Sequence, residues 1–131
     1  MRNYRARGIS KDGRPIFDET HEHCVVAEWL DANKVFYAHP ANGEWRHPVT
    51  AKKLKRMGVK AGCPDFLIFQ PSGAHNKPTA LELKALDGRA PSVDQVAFMA
   101  GLELCGWVIG WHRGADTAIK WLESLGYARM S

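Results

Sequence analysis

The spacing of apolar residues along the 131-residue chain predicts four helices that alternate with short strands. Helical periodicity with plausible first and last residues is found in four segments, at about 18–33, 48–57, 92–105 and 115–125. Apolar runs typical of strands occupy about 34–38, 65–70, 79–85 and 107–111. The predicted order is therefore α-β-α-β-β-α-β-α. This order favours an α/β fold, a mixed β-sheet flanked by helices.

Residues 1–17 differ from the rest, because they are rich in Arg, Lys and Gly and show little periodicity. We interpret them as a basic N-terminal arm in front of a single domain, residues 18–131. Residues 1–60 hold 12 Lys/Arg against 7 Asp/Glu, whereas residues 61–131 hold 6 against 7. A basic surface in the first half suggests an anionic polymer as partner, although it could serve only for solubility.

The three cysteines, Cys24, Cys63 and Cys105, are widely spaced and form no CxxC pair. This usage is typical of free thiols in a reducing compartment. The sequence contains no stretch typical of a membrane span or a secretory signal. We therefore expect an intracellular, cytoplasmic protein that has no membrane partner.

Acidic residues and a lysine stand at the ends of two neighbouring predicted strands. Asp65 opens the apolar run at 65–70, and Glu82 and Lys84 lie two residues apart in the run at 79–85. Side chains alternate between the faces of a strand, so Glu82 and Lys84 share a face that Leu83 does not. If the two strands pair as an antiparallel hairpin, the three charged groups converge at one edge of the sheet.

This set of groups suits a divalent ion. Mg²⁺ prefers oxygen ligands and usually takes one or two carboxylates together with water and substrate phosphate. Asp65 and Glu82 supply carboxylates, and the backbone carbonyl of Leu83 lies between Glu82 and Lys84. Lys84 could orient or deprotonate a water molecule or stabilise charge on a phosphate. Taken alone, Glu-x-Lys is also common in amphipathic surface strands, so the motifs carry weight only together.

Together these motifs resemble the PD-(D/E)xK nuclease superfamily and, more closely, its virus-type replication-repair nuclease (VRR-NUC) domain. The resemblance covers about residues 18–125. It is carried by His39-Pro-Ala-Asn42-Gly43, Gly58-Val-Lys-Ala-Gly62-Cys-Pro64-Asp65, Glu82-Leu-Lys84 and Gly88-Arg-x-x-Ser92-x-x-Gln95.

The resemblance implies a restriction-endonuclease-like core and a DNA endonuclease that depends on Mg²⁺ or Mn²⁺. Asp65 and Glu82 match the metal-binding acids, Lys84 the catalytic lysine and Gln95 a glutamine that faces the site. A glutamate of the first helix completes the family's set. We expect Glu19 in this role and keep Glu22, which comes almost one helical turn later, as the alternative. Either glutamate could instead only complement the helix dipole.

Several residues are candidates for contact with DNA. His39 and Asn42 could contact the phosphate backbone or merely brace a turn. Basic side chains of the second predicted helix and the loop after it are candidates for sequence-independent phosphate contacts: Lys52, Lys53, Lys55, Arg56 and Lys60. A solvated helix face is the alternative. Trp45 is a further loop aromatic to test. The spacing of His21, His23 and Cys24 fits no common zinc pattern, so we expect surface histidines there.

Stand-alone members of the family resemble junction-resolving enzymes, so the resemblance further implies a homodimer that cuts Holliday junctions or other branched DNA in repair, encoded by a bacterium or a phage. A two-fold dimer would place two active sites on a symmetric junction. The alternatives are a flap- or end-directed nuclease, a sequence-specific restriction-type enzyme, and a nucleic-acid-binding module without catalytic activity.

Overall fold

In the computed structural model, residues 5–40 and 48–129 are described. Their helices are α1 (Glu19–Ala32), α2 (Pro48–Arg56), α3 (Val93–Leu104) and α4 (Ala115–Ser124). Each predicted helix is therefore present, with ends within one or two residues of the expected ones. Asp18 caps α1 by accepting a hydrogen bond from the backbone N–H of His21, and Ser92 caps α3 in the same way.

The strands form one main sheet and one small hairpin. They are β1 (Gly8–Ile9), β2 (Pro15–Ile16), β3 (Tyr37–Ala38), β4 (Phe66–Ile68), β5 (Thr79–Lys84) and β6 (Val108–Arg113). The main sheet has the order β3-β4-β5-β6, in which β5 pairs antiparallel with β4 and parallel with β6. The predicted mixed sheet flanked by four helices is confirmed, and so is the antiparallel hairpin of the two motif strands.

The hydrophobic core lies between one face of this sheet and helices α1 and α4. Leu81 and Leu83 of β5 point into it and are fully buried. They pack against Leu30 of α1 and Leu122 of α4, among others. The alternation of β5 therefore sends Glu82 and Lys84 to the opposite face, towards α3. Helix α2 differs from the other three helices because none of its residues is buried.

The strands β1 and β2 pair antiparallel within the predicted basic arm and were not predicted. The described order is thus β-β-α-β-α-β-β-α-β-α, so the prediction lacked the first two strands. The guanidinium of Arg7 holds the hairpin against the rest of the chain through both carboxylate oxygens of Asp87, at 2.8 and 3.1 Å. Two-residue strands carry too little periodicity to be recognised in a sequence. Among the described helices, none has the length and apolar composition to traverse a bilayer.

Candidate functional site

The β4–β5 hairpin brings Asp65 and Glu82 together. Phe66 pairs with Leu81, so the residue before Phe66 and the residue after Leu81 are neighbours across the hairpin. Oδ2 of Asp65 accepts a 2.8 Å hydrogen bond from the backbone N–H of Leu83. The carboxylate of Asp65 is therefore fixed at the end of β5, where the strand pattern predicted it.

Steric constraints explain why a glycine stands at position 62, at the start of the Gly62-Cys-Pro-Asp65 segment. Gly62 has φ +89°, a left-handed conformation that L side chains rarely adopt. A Cβ at this position would lie 2.4 Å from the backbone oxygen of Asp94 and 2.9 Å from the backbone nitrogen of Gln95. The loop that carries Asp65 therefore lies directly on the first turn of α3, which only a glycine permits.

Gln95 links α3 to the acidic strand. Ser92 and Gln95 form a capping box, in which Oε1 of Gln95 accepts the backbone N–H of Ser92 at 2.8 Å. The same oxygen accepts Nζ of Lys84 at 3.1 Å, and Nε2 of Gln95 donates to Oε1 of Glu82 at 3.1 Å. The cap thus orients the amide so that it holds the lysine with one atom and the glutamate with the other.

Glu82 is 1% exposed, and its only nearby cation among the described residues is Lys84, whose Nζ lies 3.5 Å from Oε1. Oε2 of Glu82 is buried and has no hydrogen-bond partner within the described part of the chain. Burial and the neighbouring carboxylate of Asp65 raise the pKa of Glu82 to about 8. A buried acid next to a second acid is costly to ionise unless a cation joins them.

Helix α1 contributes the third carboxylate. One carboxylate oxygen each of Glu19, Asp65 and Glu82 lie within 4.8 Å of one another. Glu22 faces elsewhere, because its Oε2 accepts a 2.5 Å hydrogen bond from the backbone N–H of Ala115, the first residue of α4. Of the two glutamates predicted for the site, Glu19 reaches the acidic cluster and Glu22 caps another helix.

The cluster fits a divalent ion on three grounds. All three side chains offer oxygen, the donor that Mg²⁺ and Mn²⁺ accept in proteins. Glu82, a member of the cluster, has a buried oxygen with no hydrogen-bond partner among the described residues. The backbone oxygen of Leu83, the predicted fourth donor, lies 3.3 Å from Nε2 of His23 and so belongs to the same neighbourhood.

The expectation that His23 is a surface residue was wrong. Its side chain is only 16% exposed, and Nε2 lies 3.4 Å from Oε1 of Glu19 and 3.5 Å from Oδ2 of Asp65. Burial lowers the pKa of His23, but the hydrogen bond and charge of Asp65 and the Leu83 carbonyl outweigh it, so the pKa is raised. The sequence did contain a signal for the position of His23: it lies four residues after Glu19, and this spacing places both side chains on one helix face.

The residues predicted to contact DNA fall into three groups. His39 lies at the edge of the site, with its ring centroid 5.0 Å from that of His23. Asn42 and Trp45 lie outside the described residues. The basic residues are displayed by α2 and the loop after it, where all five are exposed: Lys52, Lys53, Lys55, Arg56 and Lys60. Val49 of α2 and Met57, the residue that follows α2, are also exposed, at 71% and 70%.

Comparison with known proteins supports the resemblance that the motifs suggested. The sequence matches no protein-family model and no curated protein. A solved structure described as a VRR_NUC domain protein superimposes with a TM-score of 0.66 and 26% sequence identity. The match covers 83% of this chain and 90% of that one. The predicted relation to VRR-NUC domains is thereby confirmed.

Proposed function

Since the chain has the fold of a VRR-NUC domain, we propose that it is a divalent-metal-dependent endonuclease that hydrolyses phosphodiester bonds in DNA. The observation that carries the proposal is the convergence of Asp65, Glu82 and Lys84 at one end of the β4–β5 hairpin. The buried carboxyl of Glu82 lies beside the carboxylate of Asp65, whose charge raises the pKa of Glu82, and a cation between the two would offset that repulsion. We propose Mg²⁺ or Mn²⁺ as this cation.

In this proposal Asp65, Glu82 and Glu19 hold the ion with carboxylate oxygens, and Leu83 adds its backbone carbonyl. When bound, such an ion polarises a phosphate oxygen and lowers the pKa of a coordinated water. Glu82 must be ionised to act as a ligand, and its raised pKa means that binding releases a proton near neutral pH.

Lys84 and Gln95 would act on the substrate side. The hydrogen bond from Nζ of Lys84 to Oε1 of Gln95 holds the ammonium beside the carboxylates, at 3.1 Å. There the positive charge can stabilise negative charge that develops on the scissile phosphate, or orient the attacking water. Gln95 acts as a positioning residue, because its two hydrogen bonds fix Lys84 relative to Glu82.

We propose that the basic residues of α2 contact the phosphate backbone without reading base sequence. The candidates remain His39, Asn42, Lys52, Lys53, Lys55, Arg56 and Lys60. Binding through phosphate contacts weakens steeply with salt, whatever the sequence. Recognition of backbone shape would suit branched DNA, and a homodimer would place two sites on a four-way junction.

The test is a cleavage assay with labelled duplex, flap, splayed-arm and four-way-junction DNA, each in Mg²⁺, Mn²⁺ and EDTA. We expect cleavage with a divalent ion, strongest on a branched substrate, and none in EDTA. Asp65→Ala should lose cleavage and retain binding in a gel-shift assay. Cleavage that persists in EDTA would refute the proposed mechanism.

The same assay separates the alternatives. A binding module without catalytic activity would shift the DNA and cut none of the substrates under any ion. Discrete fragments from long mixed-sequence duplex would indicate a sequence-specific enzyme. Cleavage confined to flaps or ends would exclude junction resolution. The dimer is tested separately by sedimentation with and without junction DNA.

A further inference from the structure

We propose that His23, His39 and Asp65 form a second cation site, rich in imidazole nitrogen, that shares Asp65 with the three-carboxylate cluster. One ligand atom from each of the three residues lies within 4.8 Å of the other two. The site would take ions that imidazole suits, such as Co²⁺ or Zn²⁺, and would accept Mn²⁺, which also binds the three-carboxylate cluster, more readily than Mg²⁺. This proposal goes beyond the nuclease activity and concerns ion binding in its own right.

The distances are those of a site that closes with a small adjustment. Ligand atoms about 2.1 Å from one ion lie roughly 3–4 Å from each other in tetrahedral or octahedral geometry. Nε2 of His23 already lies 3.5 Å from Oδ2 of Asp65. To bind the ion it would release its proton and give up its 3.3 Å contact with the Leu83 carbonyl. The His39 side chain is exposed, so its ring can turn towards an ion without unpacking the core.

The fold holds the two imidazoles side by side. His23 is placed by helix α1 on the face that carries Glu19. His39 precedes Pro40, which restricts it to extended backbone immediately after β3. The ring of Phe66 packs against both, with centroids 4.9 Å from His39 and 5.7 Å from His23. The two histidines therefore reach the same end of β4 from separate elements.

Two different ligand sets meet at Asp65. One set adds the oxygens of Glu19 and Glu82, which suit Mg²⁺. The other adds two imidazoles, whose nitrogen is a poor ligand for Mg²⁺ and a good one for later divalent metals. The two sets adjoin, because Nε2 of His23 also lies 3.4 Å from Oε1 of Glu19. The two sites therefore differ in the ion they select and in their dependence on Glu82.

The experiment uses the full chain without a histidine tag, so that all nitrogen ligands belong to the protein. Calorimetric titrations with Mn²⁺ and with Mg²⁺ are compared for wild type, His39→Gln, His23→Gln, Glu82→Gln and the control His75→Gln. His75 lies exposed in the turn after β4 and belongs to neither cluster. Pulsed electron paramagnetic resonance of the Mn²⁺-loaded protein then reports directly on bound nitrogen. Circular dichroism verifies that each variant is folded.

We expect ¹⁴N coupling to Mn²⁺ in wild type and in Glu82→Gln, since Glu82 is not a ligand of this site. His39→Gln should weaken at least about tenfold the Mn²⁺ binding event that shows ¹⁴N coupling, and leave Mn²⁺ binding at the three-carboxylate cluster, because even outer-shell changes at metal sites cost about that much. Its Mg²⁺ affinity should stay within about twofold of wild type, as should both affinities of His75→Gln.

Three results would overturn the proposal. The first is a wild-type spectrum without ¹⁴N coupling, which needs no variant to interpret. The second is coupling that disappears in Glu82→Gln, and the third is coupling that persists in His39→Gln with full Mn²⁺ affinity. In either case the nitrogen would belong to the oxygen-rich site. None of these results depends on DNA cleavage, so the nuclease proposal and this one can fail independently.

Discussion

The backbone N–H of Leu83 donates a 2.8 Å hydrogen bond to Oδ2 of Asp65, across the end of the β4–β5 hairpin. The bond links Asp65, which directly precedes β4, to Leu83, which lies between Glu82 and Lys84 in β5. It gives Asp65 a structural contribution in addition to its proposed role as a ligand. The two contributions can be separated by choosing the substituent.

Asp65→Ala should destabilise the fold by about 1–2 kcal/mol, because the partly buried N–H of Leu83 loses its acceptor. Asp65→Asn keeps an acceptor oxygen and should cost less than half of that. Both variants should reduce cleavage by about a hundredfold or more, since the charge is gone in each. Urea unfolding and cleavage rates measure the two effects. Equal unfolding free energies for the two variants would contradict the structural contribution.

Glu82 should make the stability of the metal-free protein fall as pH rises. Its pKa is raised from 4.5 to about 8 by burial and by Asp65. The folded state therefore keeps a proton that the unfolded chain releases above about pH 4.5. This contribution to the unfolding free energy is complete below that pH and is lost as pH rises towards 8, by at most about 1.4 kcal/mol per unit.

The measurement is urea unfolding in EDTA at pH 5, 6, 7 and 8, for wild type and Glu82→Gln. Gln keeps the size and an acceptor for Nε2 of Gln95 but does not titrate. The difference between the two proteins isolates the contribution of Glu82 from those of the other ionisable groups. If the unfolding free energies of the two proteins changed in parallel across the four pH values, Glu82 would be ionised in both the folded and the unfolded state.

Much of the site could be predicted because its determinants are local. Strand alternation places Glu82 and Lys84 on one face whatever the rest of the chain does. A serine three residues before a glutamine is typical of a helix capping box, as Ser92 and Gln95 are here. This cap orients the Gln95 amide. The hairpin followed from two apolar runs separated by a turn.

The remaining features depend on contacts between segments that are distant in the sequence. Glu19 and Glu22 have the same chemistry less than one turn apart, and only the position of Ala115 at the start of α4 distinguishes them. His23 looks like a surface histidine until β4 places Asp65 against α1. The β1–β2 hairpin likewise depends on a distant carboxylate, that of Asp87.

Gly62→Ala should strongly destabilise the fold for two reasons. The new Cβ would overlap the backbone of α3, and the alanine would have to adopt a left-handed φ. We expect a loss of roughly 2–3 kcal/mol or more in unfolding free energy, together with reduced cleavage as Gln95 moves. The matched control is Gly101→Ala within α3, where a Cβ meets nothing within 4 Å. That variant should gain up to about 1 kcal/mol from helix propensity. A neutral Gly62→Ala would show that the loop does not need its close approach to α3.

Glu19 and Glu22 should separate function from stability within a single helix. Glu22 is 6% exposed and its carboxylate accepts the N–H of Ala115, so Glu22→Ala leaves a buried donor unpaired at the start of α4. We expect it to lower the unfolding free energy by about 2–3 kcal/mol. Glu19 is 51% exposed, so Glu19→Ala should change stability by less than about 0.5 kcal/mol.

Cleavage should respond in the opposite way. Glu19→Ala removes one of the three clustered carboxylates and should slow cleavage and weaken Mn²⁺ binding, each by tenfold or more. Glu22→Ala, assayed well below its melting temperature, should keep most of its metal affinity, because its carboxylate is engaged by α4 and not by the cluster. Calorimetry with Mn²⁺ on both variants decides the matter. If Glu22→Ala loses metal affinity while stable and Glu19→Ala does not, the first-helix ligand has been assigned to the wrong residue.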